Sequence, residues 1–156
     1  MKIKKIKKLA VICLAAGNSQ IAVIKKAKSL GYKVIAIDQN KEAKGFSYAD
    51  LKIYQSTYNA EEIIKKLEAL KNKFKLMGIL NRSSGPPVIT VAKICKHFNL
   101  PGVPVEHARK LVNKDKMRIF CKKKNIPSPK YKICTVDKYK SISIKKFPVV
   151  IKPALS

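Results

Sequence analysis

Short runs of hydrophobic residues alternate with longer amphipathic stretches over the first hundred positions of the chain. Four of these runs predict β-strands; the second, KVIAID, is too short for a helix and is rich in β-branched residues. The predicted strands are Leu9–Ala15, Lys33–Asp38, Leu51–Gln55 and Leu76–Leu80. Strands that alternate with helices form parallel βαβ units. The pattern therefore predicts an α/β fold, an open doubly wound parallel sheet, over residues 1–105.

Three stretches between and after these strands carry apolar residues at helical spacing. They predict helices from Ser19 to Leu30, from Asn59 to about Lys73 and from Val88 to Phe98. Ser19 and Asn59 are residue types that cap the N-terminus of a helix, and Gly31 follows the first helix where a C-cap glycine is expected. Residues 100–105 predict a short extended piece that ends this domain.

The pattern changes after Pro104. Two short helices are predicted at Glu106–Val112 and Asp115–Lys124, and a proline-broken loop at residues 126–135 is predicted to run into a strand. Residues 137–144 predict a short helix, and Phe147–Lys152 predicts a buried strand. About fifty residues are too few to bury a core of their own. We therefore expect residues 106–156 to be the start of a second, incomplete α+β lobe.

The formal net charge is +26, which raises the possibility of a nucleic-acid-binding protein. Only three of the 35 basic residues are arginines, and arginine is the residue that recognises bases and phosphates in bidentate geometry. The lysines are spread along the whole chain without interleaved aromatic residues that would stack on bases. The composition favours a solvated lysine-rich surface and no specific nucleic-acid partner, with nucleic-acid binding kept as an alternative.

The cysteine pattern and the hydropathy of the sequence indicate the cellular compartment of the protein. The four cysteines form no CxxC pair, and neither histidine is spaced with them as a metal ligand would be. No run of 18 apolar residues predicts a membrane span. The basic-then-apolar start resembles a signal peptide, but its cleavage would remove the first predicted strand. We expect a reduced, cytoplasmic protein that has no structural metal and does not enter a membrane.

The turn AAGNSQIA follows the first predicted strand and could hold a phosphate at the N-terminus of the next helix. Its candidate residues are Gly17, Asn18 and Ser19. Asp38 ends the second strand about twenty residues later, where a dinucleotide-binding enzyme places the acid that binds ribose. The glycine fingerprint is incomplete, because Ser19 and Ala22 occupy its second and third glycine positions. An ordinary tight turn with a capping aspartate remains the simpler interpretation.

The loop NRSSGPP follows the fourth predicted strand. Ligands of open α/β sheets bind beyond the carboxyl ends of the strands, and this loop offers polar donors there. The candidates are Asn81, Arg82, Ser83 and Ser84, with Gly85 allowing close approach of the backbone. A solvated turn before a helix with proline in its first turn explains the same residues equally well.

Two lysines carry a further hypothesis. Lys152 follows an apolar run, where an unpaired ammonium would be costly to bury, so it either reaches water or faces an anion. Lys116 lies in DKMRIFCKKKNIPSPKY, about twenty residues before FPVVIKP. Together these motifs resemble the ATP-grasp ligases, and LPGVPVEHARKLVNKDKMR resembles the junction in their carbamoyl-phosphate synthetase and biotin carboxylase branch.

The resemblance covers nearly the whole chain and implies several properties. Residues 1–105 would be the Rossmann-like pre-ATP-grasp domain, whose turn and loop shape the substrate side. Lys116 and Lys152 would contact ATP phosphates. The complete enzyme would use ATP and Mg²⁺ to phosphorylate a small carboxylate, and an amine or a thiol would then attack the acyl phosphate.

The motifs that follow the lysine strand in this family are missing from the sequence. They are the glycine-rich loop, the magnesium ligands and the arginine that stabilises the acyl phosphate, so no residue here is assigned a catalytic or metal-binding role. We therefore expect a truncated chain that is inactive alone, that a separate chain could complete and that could form a homodimer. A stand-alone Rossmann-like module that binds a nucleotide or dinucleotide is the main alternative.

Overall fold

The computed structural model describes residues 7–141, 143 and 147–155. Four parallel strands form one sheet in the order β3-β2-β1-β4. The strands are β1 (Lys8–Leu14), β2 (Lys33–Asp38), β3 (Leu51–Tyr54) and β4 (Phe74–Asn81). Ile12 of β1 pairs with Ile35 of β2 on one side and with Ile79 of β4 on the other. The predicted α/β class and parallel sheet are confirmed.

Helices cover both faces of the sheet, because the central strands are apolar on both sides. One face of β1, with Ile12 and Leu14, packs against Ile63 of α2 (Ala60–Glu68) and Ile94 of α3 (Pro87–His97). The other face packs against Ile24 of α1 (Ile21–Ser29) and against a short 3₁₀ helix, Lys44–Tyr48. Side chains alternate across a strand, so both faces of β1 are buried. This is the doubly wound arrangement that the pattern predicted.

The predicted helix ends are confirmed in part. Asn59 caps α2 by accepting a hydrogen bond from the Glu62 N–H at 3.1 Å. Gly31 has φ +83° directly after the last turn of α1, as a C-cap glycine requires. Ser19 makes no capping bond; it lies in a 3₁₀ turn, Asn18–Gln20, that precedes α1.

The second helix is shorter than predicted, since α2 ends at Glu68 and not near Lys73. The chain then tightens through hydrogen bonds to the third preceding residue, such as Lys73 N–H to Leu70 O at 2.9 Å. This turn lets Phe74 begin β4 with a buried side chain, which a continuing helix would carry past the sheet.

The segment after the sheet contains two helices, α4 (Val105–Val112) and α5 (Lys114–Lys123), and a 3₁₀ helix, Val136–Ser141. The predicted helix at residues 137–144 lies partly outside the described residues. The strands predicted within residues 126–135 and at Phe147–Lys152 are wrong as judged from the described residues, none of which is in a strand there. A strand needs a neighbouring strand for its hydrogen bonds, and the described part of this segment provides none.

The prediction that the last strand is buried is also wrong. Val150 is 78% exposed and Ile151 is 88% exposed, so these apolar side chains pack against little of the described chain. Among the described residues, no helix is long and apolar enough to cross a membrane.

Candidate functional site

The carboxyl ends of β1 and β4 form the reversal point of the sheet. The chain runs from β1 outward to β2 and β3, and then returns to place β4 on the opposite side of β1. In open α/β sheets the loops on either side of such a point diverge and leave a crevice for a ligand. The two loops predicted from the sequence, Gly17–Ser19 and Asn81–Gly85, follow these two strands.

The turn after β1 is held by its neighbours. Ala15 adopts φ +72°, and its N–H donates to Ile37 O at 2.8 Å. The next residue, Ala16, donates its N–H to Asp38 Oδ2 at 2.8 Å and accepts from the Gly45 N–H at 2.7 Å.

The backbone N–H groups of Gly17, Asn18 and Ser19 have no hydrogen-bond acceptor among the described residues. Gly17 is half-buried, whereas Asn18 and Ser19 are exposed. Successive free N–H groups at the start of a helix attract anions, because their partial positive charges add.

The loop after β4 is built differently. Asn81 and Ser83 exchange hydrogen bonds, Ser83 N–H to Asn81 Oδ1 at 3.0 Å and Asn81 Nδ2 to Ser83 O at 3.2 Å. Gly85 is buried with φ +71°, a conformation in which a side chain would be strained. Ser84 is exposed between them.

The N-terminus of α3 offers few backbone donors to a ligand. Pro86 and Pro87 have no N–H, and the Val88 N–H already donates to Gly85 O at 3.0 Å. The start of α3 itself therefore offers an anion fewer backbone donors than the turn after β1 does.

Arg82 joins the two loops. Its Nη1 donates to Ser19 O at 2.9 Å, and the residue is exposed to solvent. A guanidinium has five N–H donors, so this contact leaves others available at the mouth of the crevice. The structure thus brings together the two loops that lie more than sixty positions apart in the sequence.

Asp38 lies beside the turn, and both of its carboxylate oxygens accept backbone hydrogen bonds. Oδ2 accepts from Ala16 N–H at 2.8 Å, and Oδ1 accepts from Asn40 N–H at 2.9 Å. Asp38 also lines a cleft of about 320 Å³ with Gly17, Asn18 and the loop after β2. Its contacts are those of a carboxylate that ties two loops together, which favours the capping interpretation over ribose binding.

Lys116 and Lys152 are both exposed. Lys116 lies in the first turn of α5, where Asn113 caps the helix by accepting from Lys116 N–H at 2.8 Å. The Lys114 N–H donates to Ala154 O at 2.9 Å, so the chain around residue 152 reaches the N-terminal end of α5. Each lysine is two positions from this bond, and the two lysine-bearing segments therefore meet.

The two buried thiols, Cys13 and Cys95, are poor nucleophiles in this fold. Burial raises the pKa of Cys13 to about 12, and burial also raises the pKa of Cys95. A thiol that stays protonated reacts poorly. The part of the chain that the structure describes contains no group of three His, Cys, Asp or Glu side chains that could hold a metal ion.

Two carboxylates away from the crevice take part in helix and strand contacts. The hydrogen bond from His97 and then that from Lys71 lower the pKa of Glu68, which links α2 to α3. Asp50 lies near the amino end of β2, where it accepts from Val34 N–H at 3.0 Å and from Lys33 Nζ at 2.8 Å.

Gly45 is the residue of this region that the sequence analysis missed. A Cβ at this position would lie 2.5 Å from Ala16 O, so the 3₁₀ helix approaches the turn as closely as only glycine permits. The available signal was a lone glycine in AKGFSY, outside the predicted strands and helices, where glycine often marks a close backbone contact.

Comparison with known proteins gives matches at the level of structure. No protein-family model and no curated protein matches the sequence. Phosphoribosylglycinamide synthetase from Anaerococcus prevotii is 27% identical at a TM-score of 0.69, over 87% of this chain and 34% of that one. L-amino acid ligase from Bacillus licheniformis is 19% identical at a TM-score of 0.67, over 97% of this chain and 39% of that one.

A third structure contains a nucleotide. N5-carboxyaminoimidazole synthetase from Staphylococcus aureus, in complex with ADP, is 16% identical at a TM-score of 0.53, over 80% of this chain and 32% of that one. The chain spans about a third of the length of these neighbours and matches their N-terminal part. Such neighbours are ATP-grasp ligases, and the four-stranded sheet corresponds to their Rossmann-like pre-ATP-grasp domain. By its fold, the chain is similar to the N-terminal portion of the ATP-grasp ligases.

Proposed function

We propose that this chain is the substrate-binding N-terminal part of an ATP-dependent ligase that joins a small carboxylate to an amine or a thiol. The observation that carries the proposal is the hydrogen bond between Lys114 N–H and Ala154 O, at 2.9 Å. It supports a shared role for Lys116 and Lys152, because the segments that bear them come from opposite ends of residues 106–156. The proposed domain boundary lies near residue 105, at the start of α4.

In the proposed function, the crevice between β1 and β4 binds the acceptor substrate. Free N–H groups at Gly17, Asn18 and Ser19, together with the guanidinium of Arg82, provide donors for an anionic group of the substrate. Ser83 and Ser84 add hydroxyl donors on the opposite side, and Asn81 and Gly85 shape that loop. A carboxylate or a phosphate is the substrate group that such donors fit.

In the proposed function, Lys116 and Lys152 bind the phosphates of the nucleotide. A lysine about 4 Å from a phosphate at an effective dielectric of about 20 interacts by roughly 4 kcal/mol before desolvation. After desolvation, a charged hydrogen bond nets about 1.5–3 kcal/mol. Removal of either lysine is therefore expected to weaken ATP binding about ten- to hundredfold.

ATP would supply the phosphoryl group that activates the carboxylate as an acyl phosphate. Magnesium belongs to the proposal as the companion of ATP. The described residues form no carboxylate cluster that fits this ion, so no step of the reaction is assigned to a metal held by them. We also propose that the reaction is cytoplasmic and that the chain comes from the carbamoyl-phosphate synthetase and biotin carboxylase-like branch. The proposal also includes a separate chain that completes the ATP-grasp site, and a homodimer of this chain.

The test is ATP binding by calorimetry at 150 mM salt, with the wild-type chain and the variants Lys116→Ala, Lys152→Ala and Lys130→Ala. Lys130 is an exposed lysine of the same segment, so its variant removes the same charge elsewhere. The first two variants should bind ATP at least tenfold more weakly, whereas the third should match the wild type within about threefold.

Inorganic tripolyphosphate serves as the control ligand, because a chain of charge +26 attracts any polyanion. Equal losses in all three variants, or equal affinity for ATP and tripolyphosphate in every protein, would mean that the lysines act only through net charge. That result would remove the proposed nucleotide site.

A further inference from the structure

Residues 149–152, which we call the open segment, have the composition of a strand but no strand beside them in the described structure. Three β-branched residues in a row favour a strand, and the side chains of Val150 and Ile151 are largely exposed. The four backbone N–H groups of the segment donate to no acceptor among the described residues. Pro148 and Pro153, which have no N–H, bound the segment on both sides. The open segment thus offers the backbone donors and the apolar side chains that an added strand uses.

The helix next to the open segment is also uncovered. The bond from Lys114 N–H to Ala154 O, at 2.9 Å, places the chain after the open segment beside the first turn of α5. No residue of α5 is buried, and its Ile119 and Phe120 side chains are exposed. Large apolar side chains exposed on two neighbouring elements indicate a surface that a partner covers.

The charge of this lobe restricts what the partner is. Residues 106–156 contain 15 lysines and arginines but three acidic residues. A second copy of the chain would bring the same charge to the interface and would be repelled. An anionic membrane matches the charge, but its apolar interior provides no acceptors for the backbone N–H groups of the open segment. An acidic polypeptide provides both the opposite charge and the backbone acceptors.

We propose that the open segment pairs, as an edge strand, with a strand of a separate acidic polypeptide. The proposal rests on the proposed function in one respect, since it states the chemistry of the separate chain that completes the ATP-grasp site. The observations that carry it are the exposed apolar side chains, the free N–H groups and the charge, and none of these involves ATP. Pairing also orders the backbone of Lys152, the last residue of the segment.

Strand pairing has a directional signature that apolar or charge attraction lacks. Successive residues of a strand point their N–H groups to opposite sides, so only alternate residues of the open segment donate to the partner. Val150→Pro and Ile151→Pro each remove one N–H and one exposed β-branched side chain, and the two variants are therefore matched controls for each other. One of them should weaken binding about tenfold or more, and the other by less than about threefold, because proline is tolerated where the N–H faces away from the partner.

The experiment uses the full chain without ATP, at about 150 mM salt, where attraction between distant charges is screened. The probe is a synthetic peptide of about ten residues, with alternating valine and threonine at its centre and glutamates at both ends. One control peptide has lysines in place of the glutamates, and the other has a proline at its centre. Calorimetry should give an affinity for the acidic peptide about tenfold or more above that for either control. Hydrogen exchange should show that the bound peptide protects alternate amides of the open segment.

Four results would overturn the proposal: no binding of the acidic peptide, equal affinity for the three peptides, equal losses in the two proline variants, or no protection of the open segment. Binding to phosphatidylserine vesicles, or self-association in sedimentation, in place of peptide binding would assign the surface to a membrane or to a second copy, and would overturn it as well. Loss of ATP binding to Lys116 and Lys152 with intact peptide binding would overturn the proposed function alone. If a proline variant does not fold, as judged by its amide spectrum, the alternate protection in the wild type decides the question.

Discussion

Replacement of Asp50 by alanine tests how the amino end of the sheet is stabilised. The carboxylate is 17% exposed, accepts from Val34 N–H at 3.0 Å and from Lys33 Nζ at 2.8 Å, and lies 3.6 Å from Lys28 Nζ. The charged bond to the Val34 amide is worth about 1.5–3 kcal/mol, and each exposed lysine pair adds about 0–1 kcal/mol. Asp50→Ala should therefore lower the free energy of unfolding by about 2–3 kcal/mol, or roughly 5–10 °C in Tm.

The pH dependence of the same variant follows from the pKa of Asp50. Desolvation acts to raise this pKa, but the hydrogen bonds from Lys33 and Val34 and the charges of Lys28 and Lys33 outweigh it and lower the pKa. A carboxyl whose folded pKa is lowered stabilises the fold above its unfolded pKa of about 3.9. That contribution is lost as the pH falls through the folded value.

Urea denaturation followed by circular dichroism, at pH 7 and in steps down to pH 3, measures both effects. The difference in unfolding free energy between the wild type and Asp50→Ala should be largest at neutral pH and should shrink in acid. A variant as stable as the wild type at pH 7, or a difference that is the same at pH 7 and pH 3, would refute this account of Asp50.

The remaining predictions concern glycines and thiols. Gly102→Ala should destabilise the chain by about 1–3 kcal/mol in urea denaturation, since the new Cβ would lie 2.8 Å from both Cβ and Sγ of Cys95. Gly78→Ala is the control: a Cβ at that position would have no atom within 4 Å, so the free energy of unfolding should change by less than about 1 kcal/mol. Equal losses in the two variants would contradict this. Iodoacetamide at pH 8 should modify exposed Cys134 quickly, but buried Cys13 only after unfolding, because a pKa of about 12 leaves about one thiolate in ten thousand. Peptide mass spectrometry that finds equal labelling of the two would show that the first strand is open.

The sheet could be predicted from the sequence because its signals are local. The apolar run KVIAID gave the bounds of β2 as the structure has them, and Asn59 marked the start of α2 by its capping side chain. Gly31 marked the end of α1 in the same way. These residues act within a few positions of themselves, so no knowledge of the rest of the fold is needed to interpret them.

What escaped prediction depends on partners distant in sequence. The bond from Arg82 to Ser19 and the close approach of Gly45 to Ala16 follow only from the strand order, which the sequence pattern does not specify. The strand predicted at Phe147–Lys152 has the apolar composition of a buried strand but no neighbouring strand among the described residues. An apolar composition indicates that a segment is able to form a buried strand. Whether it forms one depends on a neighbouring strand to which it can hydrogen-bond.

The hydrogen bond from Lys114 to Ala154 closes a loop of about 40 residues. Closing such a loop costs about 3 kcal/mol in chain entropy for the length-dependent part alone, whereas one backbone hydrogen bond nets about 0.5–1.5 kcal/mol. The bond therefore cannot hold the loop closed without further contacts between its two ends. A ligand that touches both Lys116 and Lys152 would supply such contacts, and its binding energy would be divided between affinity and closure. Under the proposed function, the loop length between the two lysines is thus itself a determinant of ATP affinity, and shortening the loop without moving either lysine should tighten binding.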